Sequence, residues 1–287
     1  MTQTRSLKNR SLITAAQVVL LGVVTVLTYG HTLDVPFYMD DYSSLVDNPV
    51  FYDPESISEF YNYALLRIVG YATFWINFHF HHFDVAGYHV VNIIIHFLTA
   101  VIVMLVTRAL LKAADKKRGG EQQKNYLLPL FVALLFLVHP LQTQAVTYII
   151  QRLASLTALF YLTSFCCYIH ARLAKTTRKK ILLFCGTAAF FTLSLFTKQN
   201  SITLPFVLLI AEVVFFVKTD SRGVCRMLIT AGILLLIGVI VMFSGGWADI
   251  LRTLDTMTRE TTKISRLSYF YTQVGVIWQY IRMFFIP

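Results

Sequence analysis

Apolar residues run along this chain in long, nearly unbroken blocks, separated by short polar stretches. Blocks of this length exceed what a strand or a core helix of a soluble domain needs, and they match the roughly 20 residues of a membrane-crossing helix. Eight can be placed, at about 12–30, 88–110, 126–142, 152–170, 181–197, 201–217, 227–246 and 268–286. The third and fifth are short, so they are expected either to tilt or to run on past His139-Pro140 and Lys198. The fold class this predicts is all-α: a polytopic transmembrane helical bundle forming one domain over 1–287, with no separate soluble domain. Its long polar interruptions fall at 31–87 and 247–267.

Composition supports the membrane reading. Hydrophobic residues make up 56% of the 287 positions and charged residues 14%, against about 25% charged in soluble domains. The 23 Phe and 15 Tyr suit lipid-facing packing and the membrane–water interface. The first block is too long for the core of a signal peptide and lacks a small-residue cleavage site, so it reads as a retained helix.

The net charge of +10 would suggest a nucleic-acid partner in a soluble protein, but its distribution gives another explanation. With the N-terminus inside and all eight blocks alternating, 17 of the 25 basic residues fall on inner segments and seven on outer ones. Acids show the opposite bias, with 11 of 15 outside. That is the cytoplasmic excess of Lys and Arg seen in membrane proteins, and no nucleic-acid partner is needed to account for the charge. Inner clusters such as Lys116-Lys117-Arg118 and Arg178-Lys179-Lys180 then face lipid head groups. Cys166, Cys167, Cys185 and Cys225 lack zinc spacing and are expected to be buried small hydrophobes without a disulfide.

This topology sends Asp40-Asp41 to the outer face directly after the first block, together with His139, Gln144, Arg152 and Lys198. Adjacent carboxylates beside a membrane are costly if buried and suit proton transfer if not. The plainer reading is a solvated acidic loop among unrelated boundary residues, with Lys198 snorkelling to the head groups. The loop's second half, Ile57 to Phe83, mixes aromatics with Arg67, Asn77, His79, His81 and His82, and predicts one or two helices lying in the interface. The histidine cluster lacks convincing metal-ligand spacing, so no metal ligand is assigned. His89, Asn92 and His96 follow helical spacing and predict a polar stripe facing the bundle interior. Gln199, Asn200 and Ser201 beside Lys198 favour a polar pocket over simple snorkelling.

Six segments taken in order carry a resemblance. They are Asp40-Asp41; Gly87-Tyr88-His89 with Asn92 and His96; His139-Pro140 through Val146; Gln151-Arg152 with Ser155-Leu156; Lys198-Gln199-Asn200; and Tyr280, Arg282 and Pro287. Together they resemble the membrane-embedded glycosyltransferases of the GT-C superfamily. More narrowly, they are similar to bacterial relatives of the transmembrane and tetratricopeptide-repeat O-mannosyltransferases. The resemblance implies a polyprenyl-phosphate-linked sugar as donor and an acceptor hydroxyl on a protein, glycan or lipid, with inversion at the sugar's anomeric carbon. It implies a multi-pass protein of the bacterial inner (plasma) membrane whose active site faces the periplasm or exterior. It also makes Asp40 and Asp41 the catalytic pair.

Charge balance on a departing phosphate then points to Arg152 and Lys198, with Arg67 and Arg266 in reserve. His139, Gln144, Gln199 and His89 complete the expected donor and acceptor contacts. Two features depart from the animal members. Gln144 and Gln199 stand where acidic residues are often found, which weakens a role for a divalent metal; no other cofactor is implied. The sequence also ends at Pro287, where relatives continue with further spans and repeats. A non-catalytic lipid-linked-sugar binder, a flippase and an accessory membrane subunit are the rival readings.

Overall fold

The computed structural model describes residues 2–51, 65–119, 126–217 and 265–286. The chain falls into two units, residues 1–216 and residues 217–287. The first contains α1 (Thr2–Tyr29), α2 (Ile68–His81), α3 (Val85–Arg118), α4 (Leu127–Val138), α5 (Gln142–Thr147), α6 (Arg152–Leu173), α7 (Thr177–Leu195) and α8 (Leu204–Phe215). The second contributes α9 (Arg266–Phe285). The described elements are helical, as the apolar blocks require. The expected seventh block at 227–246, residues 52–64, Cys225 and nearly all of the second long loop lie outside the described residues.

Among the described helices, three are long and apolar enough to cross a membrane: Ser11–Thr32, Val85–Arg118 and Ile149–Leu173. Leu127–Val138 and Gln199–Phe215 are shorter apolar segments.

The central helix α3 is longer than its apolar block suggests. The Asp84 carboxylate starts it by accepting from the Ala86 amide at 3.1 Å, a side-chain cap on an otherwise orphan donor. Gly119 stops it in the left-handed conformation, φ 68°, returning its N–H to Asp115 and Lys116. Its 34 residues reach about 51 Å at a helical rise of about 1.5 Å per residue, so α3 runs beyond a bilayer core. The third block behaves differently, because α4 ends at Val138 instead of continuing past His139-Pro140. His139 is extended (ψ 128°), as a residue before proline prefers, and Pro140 has no N–H to continue the ladder. The chain turns there and forms the six-residue α5.

α3 packs α1 and α4 on one side, through Leu21, Ala100, Met104, Ala133 and Leu137. On the other it packs α6 and α8, through Val106, Ala109, Ala113, Phe165, Cys166, Ile169, Leu204 and Ala211. The alanines at these contacts let backbones approach closely, which drives helix association where lipid is as apolar as leucine. One end of the bundle gathers the C-terminal ends of α3, α6 and α8. There Lys117 donates to the Val214 carbonyl at 2.6 Å, and Arg172 pairs with Glu212 at 2.6 Å. The other end gathers the C-termini of α1, α4 and α7 and the N-termini of α3 and α6.

Cys166, Cys167 and Cys185 are unbridged. Cys185 departs from the expected burial. It is exposed on α7, on a face it shares with the exposed Ile181 and Leu182.

Candidate active site

The second end of the bundle is made of broken backbone. Between α1 and the Tyr42–Val46 turn, and again between α4 and α6, the chain leaves carbonyls and amides with no helical partner. Such groups beside a membrane must be satisfied by other parts of the protein. The predicted stripe on α3 does this. His89, Asn92 and His96 are all buried. His89 Nε2 donates to the Val35 carbonyl at 2.8 Å. Asn92 Nδ2 donates to the Val146 and Ile149 carbonyls at 3.2 and 3.4 Å. His96 Nε2 donates to Leu137 O at 3.0 Å, and the Tyr29 hydroxyl donates to the same oxygen at 3.2 Å. His89 Nδ1 is left buried without a partner.

The acidic pair lies within this framework, and its two members have opposite surroundings. Asp41 is 0% exposed, whereas Asp40 is exposed. Asp41 Oδ1 accepts from the Ile150 amide at 2.8 Å and Oδ2 from the Tyr38 amide at 3.2 Å. Burial pushes the Asp41 carboxyl above its ordinary value. The two amide donors and His89 oppose that rise, and Asp40 adds to it.

Asp40 follows Met39, which is held at φ 50°, a conformation that costs a side-chain-bearing residue of order 1–3 kcal/mol. The Asp40 amide donates to the Tyr148 hydroxyl at 2.8 Å. Tyr38 stacks on Tyr148 with centroids 4.5 Å apart. These rings join Leu45, Val50, Tyr71, Phe74, Tyr88 and Leu153 in one core that ties the acidic loop to α2, α3 and α6.

Arg152 occupies the first position of α6, where the helix dipole disfavours a cation. It is 0% exposed. Its Nε donates to Asn92 Oδ1 at 2.7 Å, and its two terminal nitrogens donate to Thr73 O at 3.2 Å and Tyr88 O at 3.0 Å. The guanidinium lies 4.2 Å from the Phe74 ring centre and 5.6 Å from that of Tyr88. Arg152 thus joins α2, α3 and α6 from inside, and the structure does not present it to an incoming phosphate.

The remaining predicted residues lie around this core. α2 contacts α6 closely: a Cβ at Gly70 would overlap the Leu153 side chain. The Val69 amide donates to Phe196 O at 3.0 Å. Arg67 lies two residues before that bond and Lys198 two residues after it; Arg67 is exposed and Lys198 half-buried. Gln199 is exposed at the start of the turn leading to α8. His139 is half-buried, its Nδ1 accepting from the Leu141 amide at 3.2 Å. Gln144 is exposed on α5, and its carbonyl accepts from Tyr148 N at 3.2 Å. The Arg266 side chain lies outside the described residues.

Along α2, Ile76 and Phe80 are exposed; Phe83, just past the helix, is exposed too but sets its ring edge-on against Phe37 and Phe78. Among the described residues no three His, Cys, Asp or Glu side chains are grouped to hold a metal ion. Sequence reasoning missed Tyr148, which carries no signal among the apolar neighbours Val146, Ile149 and Ile150, and did not include Asn92 among the site residues.

Comparison with known proteins gives partial matches. Protein O-mannosyl-transferase TMTC4 of Mus musculus is 28% identical over 168 residues, covering 53% of this chain and 22% of that protein. Protein O-mannosyl-transferase F38B6.6 of Caenorhabditis elegans is 28% identical over 162 residues, covering 52% and 22%. Protein O-mannosyl-transferase TMTC1 of Homo sapiens is 30% identical over 168 residues, covering 54% and 18%. The match therefore spans less than a quarter of the length of these curated relatives. No protein-family model matches the chain, and no solved structure matches it.

Proposed function

We propose that this chain is the membrane-embedded part of a glycosyltransferase of GT-C type, moving one sugar from a polyprenyl phosphate to an acceptor hydroxyl. The site faces the outside of a bacterial inner membrane, and Asp40 is the general base. The observation that carries this reading is the division of labour in the acidic pair. Asp41 spends both oxygens on backbone amides, and Asp40 stays exposed at the same end of the bundle. The likeness to proteins named O-mannosyl-transferases supports the reaction class.

In the transfer, the acceptor oxygen attacks the anomeric carbon and a new C–O bond forms. The bond from that carbon to the phosphate oxygen breaks, and its electron pair leaves with the lipid phosphate. The acceptor proton passes to the Asp40 carboxylate, and the anomeric centre inverts. Negative charge grows on the leaving phosphate, so cations are needed beside it. Each nitrogen of the Arg152 guanidinium already donates inside the protein, and we assign it the holding of the site's frame. We give the phosphate instead to Arg67 and Lys198, which flank the Val69–Phe196 bond, with His139, Gln144 and Gln199 as further contacts to phosphate or acceptor. His89 supports the acidic loop through Val35.

The test is transfer of a labelled sugar from a set of polyprenyl-phosphate donors by the full chain in nanodiscs. Turnover with release of lipid phosphate is expected. Donor binding with no turnover for any donor would favour the binder or flippase reading.

A further inference from the structure

Tyr148 is a tyrosine in a turn between two helices, and its surroundings fix it on every side. Its backbone is extended, φ −80° and ψ 112°. Its amide donates to Gln144 O at 3.2 Å, and its carbonyl accepts from Gln151 N at 3.1 Å. The ring is 5% exposed and stacks on Tyr38. A phenol buried this far needs a hydrogen-bond partner. It finds one in Asp40, whose amide donates to it at 2.8 Å. That amide immediately follows the left-handed turn at Met39, so the strained residue and the phenol converge on one peptide.

We propose that Tyr148 is a positioning residue of the transfer step, its hydroxyl holding Asp40 by backbone and side chain so that the carboxylate faces the acceptor. The proposal rests on the reading of Asp40 as base. Having accepted the Asp40 amide, the phenol still has its own proton to donate, and in this proposal the carboxylate of the same residue takes it. Burial pushes the phenol's proton affinity up, and the charges of Asp40 and Asp41 push in the same direction, against the amide donor. The phenol therefore holds its proton more tightly than a free tyrosine does, which suits a donor. No bond of Tyr148 breaks in the reaction: the acceptor proton goes to a carboxylate oxygen of Asp40, and the phenol retains its own. An exposed aspartate samples several rotamers, and ordering it in advance removes that loss from the barrier.

The experiment compares the full chain in nanodiscs as wild type, Tyr148→Phe, Asp40→Asn and the double variant, with a polyprenyl-phosphate sugar as donor. Phenylalanine keeps the ring, its stacking and its place in the core, so the melting temperature should stay within about 3 °C. Tyr148→Phe is expected to lower kcat about tenfold with the donor KM unchanged. Adding Tyr148→Phe to Asp40→Asn should cost nothing further, because the hydroxyl acts only through the carboxylate. Full kcat in Tyr148→Phe, or kcat and KM worsening together as melting falls, would overturn the proposal. So would a further tenfold loss in the double variant. If Asp40→Asn retains wild-type turnover, the base assignment itself fails; if Asp40→Asn is inactive and Tyr148→Phe fully active, only the role of Tyr148 fails.

Discussion

The Asp41 carboxylate accepts the amide of Ile150 at 2.8 Å, joining positions 109 residues apart in the chain. Ile150 lies two residues before the buried Arg152, and Asp41 one residue after the exposed Asp40, so this single bond sets the acidic loop against the start of α6. Asp41 is thus a fastening. Its second oxygen, on the Tyr38 amide, closes the loop on itself. Asp41→Asn replaces one acceptor oxygen with an NH2 group facing an amide donor. The expected loss is about 1–3 kcal/mol of stability, read as a lower melting temperature in detergent. An unchanged melting temperature would contradict the fastening role.

The same residue makes stability depend on pH with a definite sign. Burial raises the Asp41 carboxyl above its ordinary 3.8 in the folded protein. Protonation then favours the folded state, so Asp41's contribution is fullest below that ordinary value and falls as pH rises through the raised one. The wild-type melting temperature minus that of Asp41→Asn should therefore shrink as pH rises across this window. A difference that widens with pH would show that the two amide donors outweigh desolvation.

Arg152 should tolerate substitution poorly even by lysine. Its fork reaches three acceptors on α2 and α3 while lying over the Phe74 ring. A single ammonium cannot match that planar arrangement. Arg152→Lys is expected to cost about 3 kcal/mol, with Arg152→Ala failing to accumulate in the membrane. A lysine variant that melts like wild type would remove Arg152 from the frame.

Much of this architecture was legible in advance. The apolar blocks placed α6, α7 and the C-terminal end of α1 to within a few residues; α1 itself starts at Thr2, about ten residues before its block, because its polar first turns carry no apolar signal. Elsewhere end signals outside the apolar block decided. Asp84 and Gly119 extend α3 in this way, and Pro140 stops α4. The stripe His89-Asn92-His96 was also readable, because polar residues at helical spacing in an apolar block must face inward. What the sequence did not disclose was how charge would be divided between neighbours. Asp40 and Asp41 are equivalent on paper, and a fully buried Arg152 reads like a phosphate ligand. Both distinctions arise from tertiary contacts with the amide of Ile150 and the carbonyls of Thr73 and Tyr88, which carry no side-chain signature.

If Arg67 and Lys198 meet the donor's phosphate, their loss should weaken donor binding more than turnover. Arg67→Ala and Lys198→Ala are each expected to raise the donor KM about tenfold, equivalent to about 1.4 kcal/mol. Melting should be preserved for Arg67→Ala, whose side chain is exposed. Initial rates over a range of donor concentrations check this, and an unchanged KM in both variants would move the phosphate elsewhere.

The central claim is that the acidic pair divides into one base and one fastening. Its most direct measurement sets turnover against melting temperature for Asp40→Asn and Asp41→Asn in the same nanodiscs. The account predicts that Asp40→Asn loses at least about a hundredfold in kcat while melting like wild type, whereas Asp41→Asn melts lower. An active Asp40→Asn beside a fully folded but inactive Asp41→Asn would contradict it and assign the chemistry to the buried carboxylate.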